Sequence, residues 1–310
     1  MLNIFSSTMP IFLITLLGAI IKRKWLVSDE FWRNLEKLSY FLLFPVVLFN
    51  YISVADLSSR SMINLVIALI ISTSIIGGLL IYYQQKTNGD QKKFTSIFQG
   101  SVRYNSYIFF ALSGGLFGAE GLEVVAVISS YMIIFTNVIT VLVFAKYTGD
   151  TNETGSKIES YIILFKLLAN NPLIIASLLG FLFNYSGMSL NQGLQKTLTS
   201  LSDAALAIGM LNVGAGLKLI LCPIYLRQVI FTSSIKLIAL PVVTWLILWL
   251  LGITGTAKSV GILYSCLPCA STAYVLSRQL NGDSELMASI ITFTTIFSVL
   301  SLSMMMYIFS

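Results

Sequence analysis

Residues 95–117 read TSIFQGSVRYNSYIFFALSGGLF, and residues 257–280 read AKSVGILYSCLPCASTAYVLSRQL. Each stretch has the length and apolarity of a helix that crosses a bilayer, about 20 residues. Each is also interrupted. In the first, Gly100, Arg103, Asn105 and Ser106 break the apolar run. Asn and Ser side chains bond to nearby backbone and compete with the helix. In the second, Pro268 removes a backbone donor and clashes with the preceding turn. Interrupted spans in matching places of two chain halves point to a binding site near the bilayer midplane. Half-helix N-termini there present free N–H groups and partial positive charge, which suit a carboxylate.

The rest of the chain has the same character. It is 310 residues long, 56% hydrophobic and 10% charged, with a mean hydropathy of +0.86. Soluble domains carry roughly 25% charged residues, so most of this chain faces lipid. Ten apolar stretches are expected to span: 3–21, 35–54, 62–83, 95–117, 122–145, 160–184, 197–220, 228–251, 257–280 and 286–309. The first ends in Lys22-Arg23-Lys24 without a signal-peptide pattern, and it reads as a retained transmembrane helix. The net charge is +6, but the basic residues sit in short gaps between apolar runs. That is a topology signal, not a nucleic-acid face.

With the N-terminus outside, the inner loops hold Lys22, Arg23, Lys24, Arg33, Lys37, Lys86, Lys92, Lys93, Lys146, Lys157, Lys218, Arg227 and Arg278. The outer loops hold only Arg60, Lys196 and Lys258. The positive-inside rule therefore predicts both termini outside and an even number of spans. Arg103, Lys166 and Lys236 fall inside spans and do not enter this comparison.

Weak internal similarity supports two halves. Leu35-Glu36-Lys37 opens the second span and Leu194-Gln195-Lys196 the seventh. LFGAEGL at 116–122 follows the fourth span, and LNGDSEL at 280–286 follows the ninth. Five spans per half is an odd number, so the second half is inverted, as in many secondary transporters. The expected fold is thus an all-α integral membrane protein of ten transmembrane helices in two inverted five-helix repeats. The repeats are residues 1–145 and 160–310, joined by a cytoplasmic linker at 146–159. Aligning Gly118 with Gly282 sets Asn105 opposite Cys269 and next to Pro268.

The candidate substrate-binding residues are Asn105, Arg103, Ser106, Pro268, Cys269 and Ser271. Asn105 either lines the site or caps a broken helix. Arg103 either attracts an anion or snorkels to the inner headgroups, since it lies about one-third into its span. Asp203, about two turns into span seven, is either a coupling carboxylate or an interfacial acid. Asn50, Asn137 and Asn212 read as interhelical hydrogen-bonding residues, and Gly209, Gly214 and Gly216 as close-packing positions. Pro172 after Asn170-Asn171 reads as a helix start. Asn152 and Asn184 head N-x-S/T triplets, which arise often by chance. Cys266-Leu-Pro-Cys269 reads as two small residues in a membrane helix in preference to a redox or metal pair. The chain has no histidine, and no nucleophile–base pair or acidic ligand cluster is visible. No catalytic residue, metal or cofactor is expected.

These motifs together resemble the auxin efflux carrier family, which includes bacterial malate and malonate permease-like members. The resemblance covers nearly the whole chain. It rests on Leu43-Phe44-Pro45-Val46-Val47-Leu48-Phe49, Arg103-Tyr104-Asn105 with Leu116-Phe117-Gly118, Asn171-Pro172-Leu173-Ile174, and Leu267-Pro268-Cys269-Ala270 with Gly282-Asp283. It implies a scaffold from helices 1, 2, 6 and 7, with dimerisation, and a transport domain from helices 3–5 and 8–10. It implies a crossover of helices 4 and 9 at Asn105 and Pro268, with a carboxylate bound nearby. The implied function is secondary transport of small organic anions such as malate, malonate or an auxin-like acid, in the plasma membrane. Short loops suggest a bacterial inner membrane. Members of the family are mostly thought to be proton-coupled or potential-driven; the coupling ion is open here, with a proton the first candidate. Two rival readings remain: a sodium-coupled symporter of the bile-acid carrier type, and a membrane sensor that does not transport.

Overall fold

The computed structural model describes residues 2–55, 60–148, 169–217 and 223–309. All regular structure among them is helical: α1 (Leu2–Lys24), α2 (Asp29–Leu38), α3 (Phe44–Ile52), α4 (Arg60–Thr87), α5 (Gln91–Val102), α6 (Ser106–Tyr147), α7 (Pro172–Tyr185), α8 (Gln192–Gly216), α9 (Leu226–Ser234), α10 (Leu240–Leu250), α11 (Gly255–Cys266), α12 (Ala273–Gln279) and α13 (Ser284–Phe309). Six helical segments among the described residues are long and apolar enough to cross a membrane. One of them, Gln91–Tyr147, spans 57 residues, more than twice the length that one crossing needs. Within it the helix stops at Val102 and is interrupted by a kink at Gly118, where φ is +61° and ψ is −145°. A glycine meets that conformation without a Cβ clash. The linker residues 149–159, Asn152 among them, lie outside the described residues, as do Lys166 and Cys222.

Two compact units draw on both halves of the chain. The first holds residues 1–63, 106–133 and 169–217; the second holds 64–105, 134–168 and 218–310.

In the first unit α1 lies directly against α8. A Cβ on Gly18 would overlap the Leu211 carbonyl oxygen, and one on Gly214 would overlap the Thr15 carbonyl oxygen. Backbones approach this closely only over small residues. Gly209 faces the Tyr107 ring in the same way, whereas nothing lies near Gly216. The Asn50 carboxamide is buried; it donates to Ser202 Oγ at 3.4 Å and accepts from Gln195 Nε2 at 3.0 Å. Asn212 Nδ2 donates to Ser39 Oγ at 3.0 Å. Helix α7 starts as its sequence implies: the Asn171 side chain accepts from Leu173 N at 2.9 Å, with Pro172 in the first helical position. Asn184, near the end of α7, donates to the Ile52, Ser53 and Ala55 carbonyls at 2.9–3.1 Å. These are the orphan acceptors at the end of α3.

Both units contain a wide π-type turn just before a proline. Ser39–Leu43 precedes Phe44-Pro45, and Ile235–Ala239 precedes Leu240-Pro241. A proline ring clashes with the carbonyl four residues back, here Phe41 and Leu237. The turn relaxes to bonds five residues apart, from Phe44 N to Ser39 O and from Leu240 N to Ile235 O. The helices therefore continue through both prolines with a bulge in place of a break.

The second unit packs around two apolar clusters. Ile76, Leu80, Phe94, Phe98, Val102, Val143 and Leu240 form one, and Val229, Cys269, Ala273, Leu286, Met287, Ile290 and Ile291 the other.

Candidate functional site

Helix α5 is started by Asp90, whose carboxylate accepts from Lys93 N at 3.0 Å. It stops where Arg103 turns extended, at φ −79° and ψ 152°. Helix α11 stops in the same way, at Leu267 with φ −65° and ψ 147°. The cause at Leu267 is local: a residue before proline is pushed out of the helical region. No proline follows Arg103, and there the break is closed from outside. The Asn105 N–H donates to the Pro268 carbonyl at 3.0 Å. Two interrupted helices, far apart in the chain, thus exchange a backbone bond at their breaks.

Further contacts bind the same two segments side by side. Arg103 Nη2 donates to Thr272 Oγ1 at 3.3 Å, and Gln99 Nε2 donates to the Ala273 carbonyl at 3.2 Å. The Cys269 N–H donates to Thr294 Oγ1 of α13 at 3.3 Å. Below the breaks, Ser96 Oγ donates to the Asp283 carbonyl at 2.8 Å, and the Asp283 N–H to the Lys92 carbonyl at 3.3 Å. The rings of Tyr104 and Tyr264 lie 4.6 Å apart. Asn105, Tyr104, Pro268, Cys269 and Tyr264 are all buried. The site is a polar seam inside a unit that is otherwise apolar.

Of the residues expected to bind substrate, the second unit gathers Arg103, Asn105, Pro268 and Cys269 at the breaks. Ser271 lies half-buried in the same loop, and its carbonyl accepts from Tyr274 N at 3.3 Å. Ser106 is half-buried and opens α6, and it falls in the first unit. Asp203 is exposed on α8 of the first unit.

The left-handed residue after α12 is Asn281, with φ +60°, and Gly282 follows it. Asn adopts this region more readily than other side-chain-bearing residues. Gly118 follows Asn105 at the same interval as Asn281 follows Pro268. Thr272, Thr294, Gln99 and Lys236 join the site without having been singled out. A charge inside an apolar run was the signal available for Lys236.

An all-helical chain with repeated membrane crossings, short connections and two helices broken at a shared point has the build of a multi-pass membrane transporter. Residues 3–306 match the family model described as membrane transport protein, and the chain belongs to that family, that of the auxin efflux carriers. It is 26% identical over 303 residues to an uncharacterized transporter of Methanothermobacter thermautotrophicus, covering 96% of this chain and 95% of that protein. It is 23% identical over 301 residues to an uncharacterized transporter of Methanocaldococcus jannaschii, covering 95% of each.

Proposed function

We propose that the protein is a secondary active transporter of small organic anions, carboxylates such as malate, malonate or an auxin-like acid. The substrate carboxylate binds where the two helices break, and alternating access carries it across. The observation that carries this reading is the bond from Asn105 N–H to the Pro268 carbonyl. It holds two interrupted backbones together inside an apolar unit, and irregular backbone is tolerated at membrane depth only where protein or a cavity satisfies it. Charge supports an anion as the cargo. Among the described residues, the helices of the second unit carry no Asp or Glu except Glu285, in the first turn of α13, while Arg103 reaches into the breaks. The proposal includes ten crossings in two inverted repeats and a scaffold of helices 1, 2, 6 and 7 that forms the homodimer. It also places the protein in the plasma membrane, with both termini outside.

The test is uptake of radiolabelled malate, malonate, lactate and an indole acid into proteoliposomes, under a pH gradient and then a sodium gradient. Saturable uptake of an acid that falls at least about tenfold in Asn105→Ala is the expected result. Uptake driven by sodium alone would favour the symporter reading. Folded protein that moves no acid under any gradient would overturn the proposal.

A further inference from the structure

Lys236 sits in the π-type turn Ile235–Ala239 of the second unit, with α5, α9, α10, α11 and α13 packed around that turn. It is completely buried, and among the described residues its Nζ has no hydrogen-bond acceptor. The Tyr264 ring lies 5.9 Å from Nζ to the centroid. That is the outer limit of an effective cation–π contact, about 6 Å, and a ring face leaves ammonium donors unused.

Among the described residues no acidic side chain forms an ion pair with Lys236. Lys22, by contrast, pairs with Asp29 in the first unit. A buried ammonium without a counter-ion is among the costliest groups a membrane protein can hold. A lysine near a helix end escapes by snorkelling. Lys236 cannot, because it lies mid-span, between α9 and α10, and is sealed by its neighbours.

Its position ties it to the breaks. Tyr264 is two residues before the end of α11, and its ring packs on Tyr104, the residue between Arg103 and Asn105. Proline chemistry explains how the lysine is held there: Pro241 forces the wide turn, and the wide turn contains Lys236.

We infer that Lys236 is the fixed cation that binds the carboxylate of the transported anion, forming in the loaded protein the ion pair that the empty protein lacks. The inference rests on the organic-anion reading above. It goes beyond it by assigning the charge that selects an anion over its neutral analogue. In the present conformation that charge is closed off from the surface, so loading requires the packed elements to part.

The experiment uses the full chain, purified in detergent, and reads thermal unfolding by tryptophan fluorescence. Malonate, malate, lactate and an indole acid are added, each beside its neutral amide. Wild type is expected to gain stability from at least one acid and not from the amide. Lys236→Met keeps the apolar stem and removes the charge. Without acid it should melt at or above the wild-type temperature, and its apparent affinity for the acid should fall on the order of a hundredfold. Lys236→Arg should keep the preference for acid over amide. If Lys236→Met melts well below wild type or fails to fold, the lysine has a structural role and the inference is overturned. Acid binding by Lys236→Met within about threefold of wild type also overturns it, and leaves the transport reading to the Asn105→Ala uptake result. If no acid stabilises wild type, the inference is overturned, while the transport reading is decided separately by the uptake of acids into proteoliposomes.

Discussion

Asn105 serves the site twice, and the two uses can be separated. Its backbone N–H holds the Pro268 carbonyl, and its side chain is a buried carboxamide in the seam. Asn105→Ala keeps the backbone bond and removes only the carboxamide. We therefore expect stability within about 1 kcal/mol of wild type with the loss of uptake described above, measured as melting temperature beside initial rate. Asn184 is the opposite case, a polar residue with a structural duty. Its amide donates to three carbonyls at the end of α3, so a glycan could not be attached without breaking them. Asn184→Ala should cost about 1–3 kcal/mol through stranded acceptors. Equilibrium unfolding of the purified protein would check this, and a wild-type midpoint would refute it.

At the scale of the helix, small residues decide which surfaces touch. The contact of α1 with α8 depends on Gly18 and Gly214, because an added methyl at either would meet backbone oxygen that cannot turn aside. Gly214→Ala is expected to destabilise by about 2–4 kcal/mol, in the overpacking range or somewhat beyond it. Gly216→Ala meets open space two residues later and should be neutral or up to about 1 kcal/mol stabilising, from helix propensity. Comparing the two melting temperatures isolates packing from propensity. Equal shifts would mean that the close approach carries no energy. The prolines act at this scale too. Pro45 and Pro241 bulge their helices, whereas Pro268 ends one, since Leu267 turns extended and the Pro268 carbonyl is drawn to Asn105.

At the scale of the molecule the prediction concerns topology. The charge distribution places Lys196 outside and Lys92 inside, and both side chains are exposed. In a Cys222→Ser background, Lys196→Cys should react with a membrane-impermeant maleimide in intact cells. Lys92→Cys should react only after permeabilisation. Labelling in the reverse order would invert the orientation, and labelling of both in intact cells would contradict the helix count between them.

The sequence by itself determined that the chain is helical and apolar enough to cross a membrane repeatedly, and where two helices break. Lipid requires about 20 apolar residues per crossing. Pro268 and the Asn171-Pro172 pair act on their immediate neighbours, so their effects are written locally. The family was legible for the same reason, through short motifs in a fixed order. What the chain order could not show was which faces meet. The bond between Asn105 and Pro268 and the choice of Gly214 over Gly216 as a contact both arise between segments far apart in sequence. Lys236 is the clearest instance. In the sequence it is one charge in an apolar run, able to snorkel or to turn inward. Only the packing of five helices around a proline-induced turn buries it beside Tyr264 without an acceptor among the described residues.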